Sequence, residues 1–224
     1  MISIAIDGPA GAGKSSICRR LARELNFLHV DTGALYRAVG LFVLRRGSDP
    51  ADPRSVLPLL PQIRLDLQFT DGEQRILLGG EDVSEAIRSP EASRASSAVS
   101  ALPEVRAFLL EQQRSLARQH NVIMDGRDIG TVVLPDATVK IYLTADAEVR
   151  ARRRWLEQRQ KGVEEPYEQV LAAVRRRDYQ DSHREVAPMR RAPDAWLCDS
   201  SALDFEETVA VLLRHIREKT GVKG

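Results

Sequence analysis

Three groups of residues in this chain have the types and spacing for phosphate chemistry. The first is Gly8-Pro9-Ala10-Gly11-Ala12-Gly13-Lys14-Ser15, followed by Ser16, which fits the pattern G-x-x-x-x-G-K-[ST]. Glycines in such a run let the backbone turn successive N–H groups inward, and a helix that starts there adds partial positive charge. Lys14 then reaches the β- and γ-phosphates of a nucleoside triphosphate, and the Ser15 hydroxyl is placed to ligate Mg²⁺. The second group is Asp125-Gly126-Arg127-Asp128, in which Asp125 ends an apolar run. It is a candidate to orient Mg²⁺ through water, with loop capping as the alternative role. The third is Arg177, Asp181 and Arg184, spaced i, i+4, i+7 on one helix face. Arg150, Arg153 and Arg154 form a further one-faced set. Taken alone, each arginine set reads as solvated surface, where an Arg–Asp pair contributes ~0.5 kcal/mol or less.

The elements that must position these groups follow from periodicity. Ile2 to Ile6 reads as a short buried strand before the glycine-rich turn, and Ile17, Leu21 and Leu25 mark one face of the helix after it. Further strands are expected at Phe27–Val30, Val122–Asp125, Val139–Leu143 and Ala195–Cys198. Helices are expected at 34–46, 92–101, from Pro103 to Gln119, from Asp146 until a break at Lys161-Gly162, and from Tyr167 to about Arg184. Asp204 with Glu207 has the spacing of a capping box for a last helix carrying Val209, Leu212 and Ile216. Alternating strands and helices predict an α/β fold, a doubly wound parallel sheet. Ile63, Leu65, Leu67 and Phe69 alternate with polar residues, Asp71-Gly72 signals a turn, and Ile76-Leu77-Leu78 reads as a return strand. This antiparallel patch interrupts the parallel pattern and reads as an inserted lobe.

Composition bounds the reading. The chain has 224 residues and a formal net charge of +1, so positive sites must come from local clustering of arginines. No stretch is long enough to span a bilayer, and the start of the chain lacks the pattern of a secretory signal, so a cytoplasmic protein is expected. The two cysteines, Cys18 and Cys198, read as small buried thiols, and the four histidines lack the spacing of a zinc site.

Asp31-Thr32-Gly33-Ala34-Leu35-Tyr36-Arg37, Asp125-Gly126-Arg127-Asp128 and Arg177-Asp178-x-x-Asp181-x-x-Arg184, in this order behind the glycine-rich loop, resemble the bacterial cytidylate kinases. These are P-loop nucleoside monophosphate kinases with an enlarged monophosphate-binding lobe. The resemblance runs the length of the chain, and the insert around residues 63–87 is a mark of the subfamily. It implies one kinase domain, with a core of about 1–31, 104–148 and 185–224, an acceptor lobe of about 32–103 and an arginine-bearing lid of about 149–166. It implies that Thr32 and Arg37 contact the acceptor nucleotide, that Ser97, Arg106 and Asp128 read cytosine, and that Arg184 lies near the nucleotide. Phosphate and sugar contacts fall on Arg37, Arg127, Arg177 and Asp181, and transfer relies on Lys14, Arg127, Arg177 and Arg184. Arg153 and Arg154 join residues 8–16 on the ATP side. Thr32 stands where many members have serine.

The implied activity is transfer of the ATP γ-phosphoryl group to CMP, and to dCMP, with Mg²⁺, by a monomer that binds neither nucleic acid nor membrane. The chemistry is consistent with the residues. A monophosphate is already largely ionised near neutral pH, so no general base is required, and the obstacle is repulsion between two polyanions. Arginines with Lys14 and Mg²⁺ remove it. Arg106 can donate to cytosine O2 and N3, and Asp128 can accept from its N4 amine. The alternative for Asp128 is a brace for Arg127. Competing readings are a P-loop kinase for UMP, shikimate or a sugar acid, and a GTP-binding switch. The guanine-reading pattern [NT]-K-x-D is absent, which counts against the switch.

Overall fold

In the computed structural model, which describes residues 1–70, 73–160 and 162–222, strand β1 (Ser3–Asp7) is the middle of a five-stranded sheet. The order is β2 (Leu28–Asp31), β6 (Val122–Gly126), β1, β7 (Val139–Thr144), β8 (Trp196–Asp199), and every neighbouring pair is parallel. Register fixes what the carboxyl edge presents. Asp31 pairs with Asp125, and Asp7 with Gly126, so three carboxylates end three adjacent strands where open α/β sheets bind ligands.

Period-two alternation divides the core between the two faces of the sheet. Ile4, Ile6, Ile123, Ile141 and Leu143 pack on one face against α1 (Lys14–Leu25) and α8 (Phe205–Thr220), which contribute Ile17, Leu21, Leu212 and Ile216. Ala5, Val30, Val122 and Met124 face the other side, toward α5 (Pro103–Gln119) and the turn Ile129–Val133. The lobe has its own core, in which Leu35, Val39 and Val43 of α2 (Thr32–Arg45) meet Val99 of α4 (Pro90–Val99). Ile76 joins them from the antiparallel sheet of β3 (Leu65–Thr70), β4 (Glu73–Leu78) and β5 (Glu81–Asp82), and Val83 from just past it. A one-turn helix, α3 (Pro53–Val56), contributes Val56. Helices α6 (Ala147–Gln160) and α7 (Tyr167–His183) share a small core of Ala151, Val170 and Val174.

The parallel sheet and its insert match the sequence reading, as does the capping box, in which Asp204 accepts from Glu207 N at 2.8 Å and Glu207 accepts from Asp204 N at 2.9 Å. Cys18 and Cys198 are free and buried. Element ends differ for local reasons. The helix expected from Ala34 starts at Thr32, because the Asp31 side chain caps Ala34 N at 3.0 Å. The helix expected at 92–101 runs Pro90–Val99, with Ser89 accepting from Ala92 N and proline in the first turn. Arg184 is not on the face of α7. It lies one residue past the helix end, with φ −63° and ψ 143°. The Ile129–Val133 turn, a π-helical one, and β5 had no periodicity to announce them. The expected Asp71-Gly72 turn and Lys161 lie outside the described residues.

Candidate active site

The glycine-rich loop has the conformation its composition suggests. Gly8 has φ +146°, and a Cβ there would meet the Leu143 carbonyl oxygen at 1.9 Å, so the loop lies against β7 only because residue 8 has no side chain. Gly13, at φ +83°, turns the chain into α1. Pro9 and Ala12 are buried beneath the loop, while Ala10, Gly11, Gly13, Lys14, Ser15 and Ser16 line a cleft of about 310 Å³. The Lys14 ammonium is buried and donates to the carbonyls of Gly8 and Pro9 at 2.7 Å each. Burial, with Arg127 nearby, lowers its pKa to about 7.

Asp125 is the polar hub behind the loop. Its Oδ2 accepts from Ser15 Oγ at 2.8 Å, its Oδ1 lies 2.7 Å from His29 Nε2, and its main-chain oxygen accepts from Thr32 Oγ1 at 2.8 Å. Burial opposes its charge, but His29, Lys14 and Ser15 outweigh that and lower its pKa, so it remains a carboxylate. A serine hydroxyl beside an ionised carboxylate is the hard oxygen donor set that suits Mg²⁺. Cys18, His29 and Asp125 offer donor atoms within 4.8 Å of one another, a grouping from three elements that no local spacing reveals. Both Asp125 oxygens are already engaged there by Ser15 and His29.

Across the cleft from the loop stand the arginines. Arg37 donates to Asp31 at 2.8 Å and Arg127 to Asp181 at 2.8 Å, while Arg177 comes only to 3.9 Å of the Asp181 carboxylate. The Nε atoms of Arg37 and Arg177 are buried without a hydrogen-bond partner among the described residues. Burial, together with Arg127, Arg154 and Arg37, lowers the Arg177 pKa to about 10, only partly countered by Asp181. For Asp181, burial opposes the charge, yet Arg127 and Arg177 more than offset it and its pKa falls. Crowding of like charges at this wall is costly, and an anion beside the guanidinium groups offsets it.

At the end of the cleft, Asp128 pairs with Arg106 and accepts from Arg184 at 3.3 Å. Arg106 also donates to the Ser100 carbonyl at 3.2 Å and lies 5.5 Å from the Tyr36 ring centroid. Asp128 is therefore not a brace for Arg127; Asp181 and the Gly126 carbonyl take that role. Thr32, Arg37, Arg106, Arg127, Asp128, Arg177, Asp181 and Arg184 all line this one cleft. Ser97 does not. Ser96 and Ser100, four residues apart on one face of the chain's turn, line it instead, and the Ser97 carbonyl accepts from Ser100 Oγ at 3.0 Å. Arg153 and Arg154 do not line it either. The Arg153 fork is taken by the carbonyls of Ser200 and Leu203 at 2.8 and 3.1 Å. Arg150, in place of a solvated face, is buried and joins Ala10 O at 2.9 Å to both oxygens of Asp178.

The family model described as cytidylate kinase matches residues 4–218. The chain belongs to the cytidylate kinase family. It is 51% identical to the cytidylate kinase of Caldicellulosiruptor bescii over 95% of this chain and 94% of that one. With the Carboxydothermus hydrogenoformans cytidylate kinase it shares 50% identity over 98% and 99%, and with that of Mycobacterium leprae 48% over 98% and 97%. A crystal structure of an uncharacterized protein from Eubacterium ventriosum has the same fold, with a TM-score of 0.53, 12% identity and coverage of 96% and 98%. Membership in this family makes the protein a nucleoside monophosphate kinase that phosphorylates CMP with ATP.

Proposed function

We propose that this cleft phosphorylates CMP and dCMP, with the triphosphate on the loop of residues 8–16 and the monophosphate beneath Arg37, Arg127 and Arg177. The observation that carries this reading is the convergence of Arg37, Arg127 and Arg177 on the cleft the loop lines, where Arg177 is crowded by like charges and comes only to 3.9 Å of Asp181. They gather charged donors opposite the triphosphate loop, which suits an acceptor that is itself a phosphate.

The acceptor oxygen carries its own charge, so transfer needs alignment and charge compensation and no base. Arg177 and Arg127 neutralise the acceptor phosphate, and Lys14 exchanges its loop carbonyls for the β- and γ-phosphate oxygens. Ser15, with Asp125 behind it, would hold Mg²⁺, which when bound screens the triphosphate charge. Asp128, fixed between Arg106 and Arg184, offers a carboxylate to the cytosine N4 amine and repels the carbonyl that uracil carries there. Thr32 has its hydroxyl beside the acceptor while its methyl adds bulk that serine lacks. The region of about 149–166 closes over ATP as a lid on the core of about 1–31, 104–148 and 185–224, with 32–103 as acceptor lobe. The enzyme works in the cytoplasm as a monomer, without nucleic acid or membrane; among the described residues no helix is long and apolar enough to cross a membrane.

A panel of CMP, dCMP, UMP and AMP with coupled ADP detection tests the reading. CMP and dCMP should turn over well, UMP weakly and AMP hardly at all. A preference for AMP, or for a non-nucleotide acceptor, would remove it.

A further inference from the structure

Asp7 closes β1 immediately before Gly8, yet its side chain serves a different loop. It is 4% exposed, and its two oxygens accept the main-chain N–H groups of Ile129 and Gly130 at 2.7 Å each, 122 and 123 residues away. Those two peptides open the turn that follows Arg127 and Asp128, and the turn wraps back so that Val132 N donates to the Asp128 carbonyl at 2.9 Å. The approach is close. A Cβ on Gly130 would lie 3.3 Å from Asp7 Oδ2 and 3.2 Å from Lys140 Cδ. One carboxylate on the donor strand therefore fixes the loop that carries the base-facing and phosphate-facing residues of the acceptor site.

We propose that Asp7 is a positioning residue for the acceptor nucleotide, its carboxylate setting the place of Arg127 and Asp128 through the Ile129–Gly130 peptides. The inference rests on the acceptor-site reading above and adds to it a residue that touches neither substrate. A carboxylate can accept from both N–H groups at once; an amide offers one acceptor and turns an NH₂ toward the other donor. Loss of one bond leaves a buried N–H unpaired and lets the loop drift. Protonation has the same consequence as amidation. Burial raises the Asp7 pKa to about 6, against the lowering effect of its two peptide bonds. The ionisable groups around it are Lys14 on the donor loop, Asp128 on the acceptor loop, Cys18 on α1 and Tyr142 on β7. Lys140, whose stem reaches Gly130, is held by Asp194 at 2.7 Å.

The test is a split between acceptor and donor affinity in Asp7→Asn and Gly130→Ala, which disturb the same bonds from opposite ends. Binding is measured by calorimetry at pH 7.5, with ADP and with whichever monophosphate the wild type prefers in the acceptor panel. Failure of CMP in the wild type thus counts against the acceptor assignment, and the variant ratios alone judge Asp7. Asp7→Asn should weaken the monophosphate about tenfold and leave ADP within about twofold, and Gly130→Ala should show a smaller loss of the same kind. On acidification to pH 5 the Asn-to-wild-type affinity ratio should approach one, because Asp7 in the wild type has then also lost its charge. Using the ratio cancels the monophosphate's own ionisation. Equal losses for both ligands, no loss for either, or a ratio unchanged between pH 7.5 and 5 would overturn the proposal. If Asp7→Asn does not fold, Gly130→Ala decides by the same split.

Discussion

Arg127 and Asp181 are a satisfied pair, whereas Arg177 beside them has a buried donor with nothing to bond and a pKa pushed down to about 10. That asymmetry gives Arg177→Ala opposite effects on activity and stability. Removing a cation from a repelling group should leave Tm unchanged or raised. Removing it from the transition state should lower kcat/KM by the equivalent of ~3 kcal/mol or more. A surface ion pair would do neither, so a kcat/KM loss below about threefold refutes the phosphate role. Asp128→Asn tests the base contact while keeping the shape between Arg106 and Arg184. CMP should lose roughly 2–4 kcal/mol of transition-state binding, while UMP gains because an amide NH₂ can donate to its carbonyl. Equal change for both acceptors, measured as kcat/KM, would mean that Asp128 only holds arginines. At this scale contiguous motifs were readable: loop residues 10, 11 and 13–16, all of D-G-R-D, and Arg177, Asp181 and Arg184 of R-D-x-x-D-x-x-R reach the cleft, while Asp178 turns to Arg150. His29 and Asp7 were not. A lone histidine or aspartate in a strand has no spacing to betray it, and their partners, Asp125 and the Ile129–Gly130 peptides, lie about a hundred residues away.

Helices α2 and α4 set the acceptor wall, and their contact is tighter than their sequences announce. A Cβ on Gly40 would sit 2.8 Å from Ala95 Cβ and 3.0 Å from Ser96 N, with no flexible side chain to yield. Gly40→Ala must therefore push α4 outward, at a cost of about 1–3 kcal/mol in stability. Because Ser96 and Ser100 line the cleft on that side, the shift should raise KM for CMP several-fold and leave KM for ATP unchanged. Equal change in both, or none, would show that the wall tolerates the displacement. Helix existence was legible from periodicity, but the phase of α4 was not: Ser96 and Ser100 line the cleft and Ser97 does not, a rotation of one residue set by tertiary packing such as the close approach of Gly40 to Ala95 and Ser96. The same limit applied to Arg150. Its spacing with Arg153 and Arg154 suggests one charged face, yet Arg150 is buried on Asp178, and half-buried Arg153 donates to the Ser200 and Leu203 carbonyls.

Across the whole molecule the net charge is only +1, but Lys14, Arg37, Arg106, Arg127, Arg177 and Arg184 converge on one cleft between separate hydrophobic cores. The parallel sheet is rigid and doubly covered, with Ile4, Ile6, Ile123, Met124 and Leu143 fully buried. The α6–α7 pair centres on a small cluster of Ala151, Val170 and Val174, flanked by half-buried Ala147, Trp155, Tyr167 and Leu171, and is held to the loop through Arg150, which joins Ala10 O to Asp178. Few apolar contacts and polar ties through Arg150, Arg153 and Asp181 describe a unit that opens locally at low cost, whereas the sheet opens only on global unfolding. Amide hydrogen exchange should therefore be fast in α6 and α7 and slow in β1 and β6 of the free protein. Binding of both nucleotides neutralises the arginines that repel one another across the cleft, so α6 and α7 should become protected while β1 and β6 change little. Asp178→Asn, which weakens the tether without touching the small core, should speed free-state exchange in α6–α7 alone and raise KM for ATP more than for CMP. If α6 and α7 exchange as slowly as β1 in the free protein, they are part of the rigid core and closure must come from the α2–α4 lobe instead.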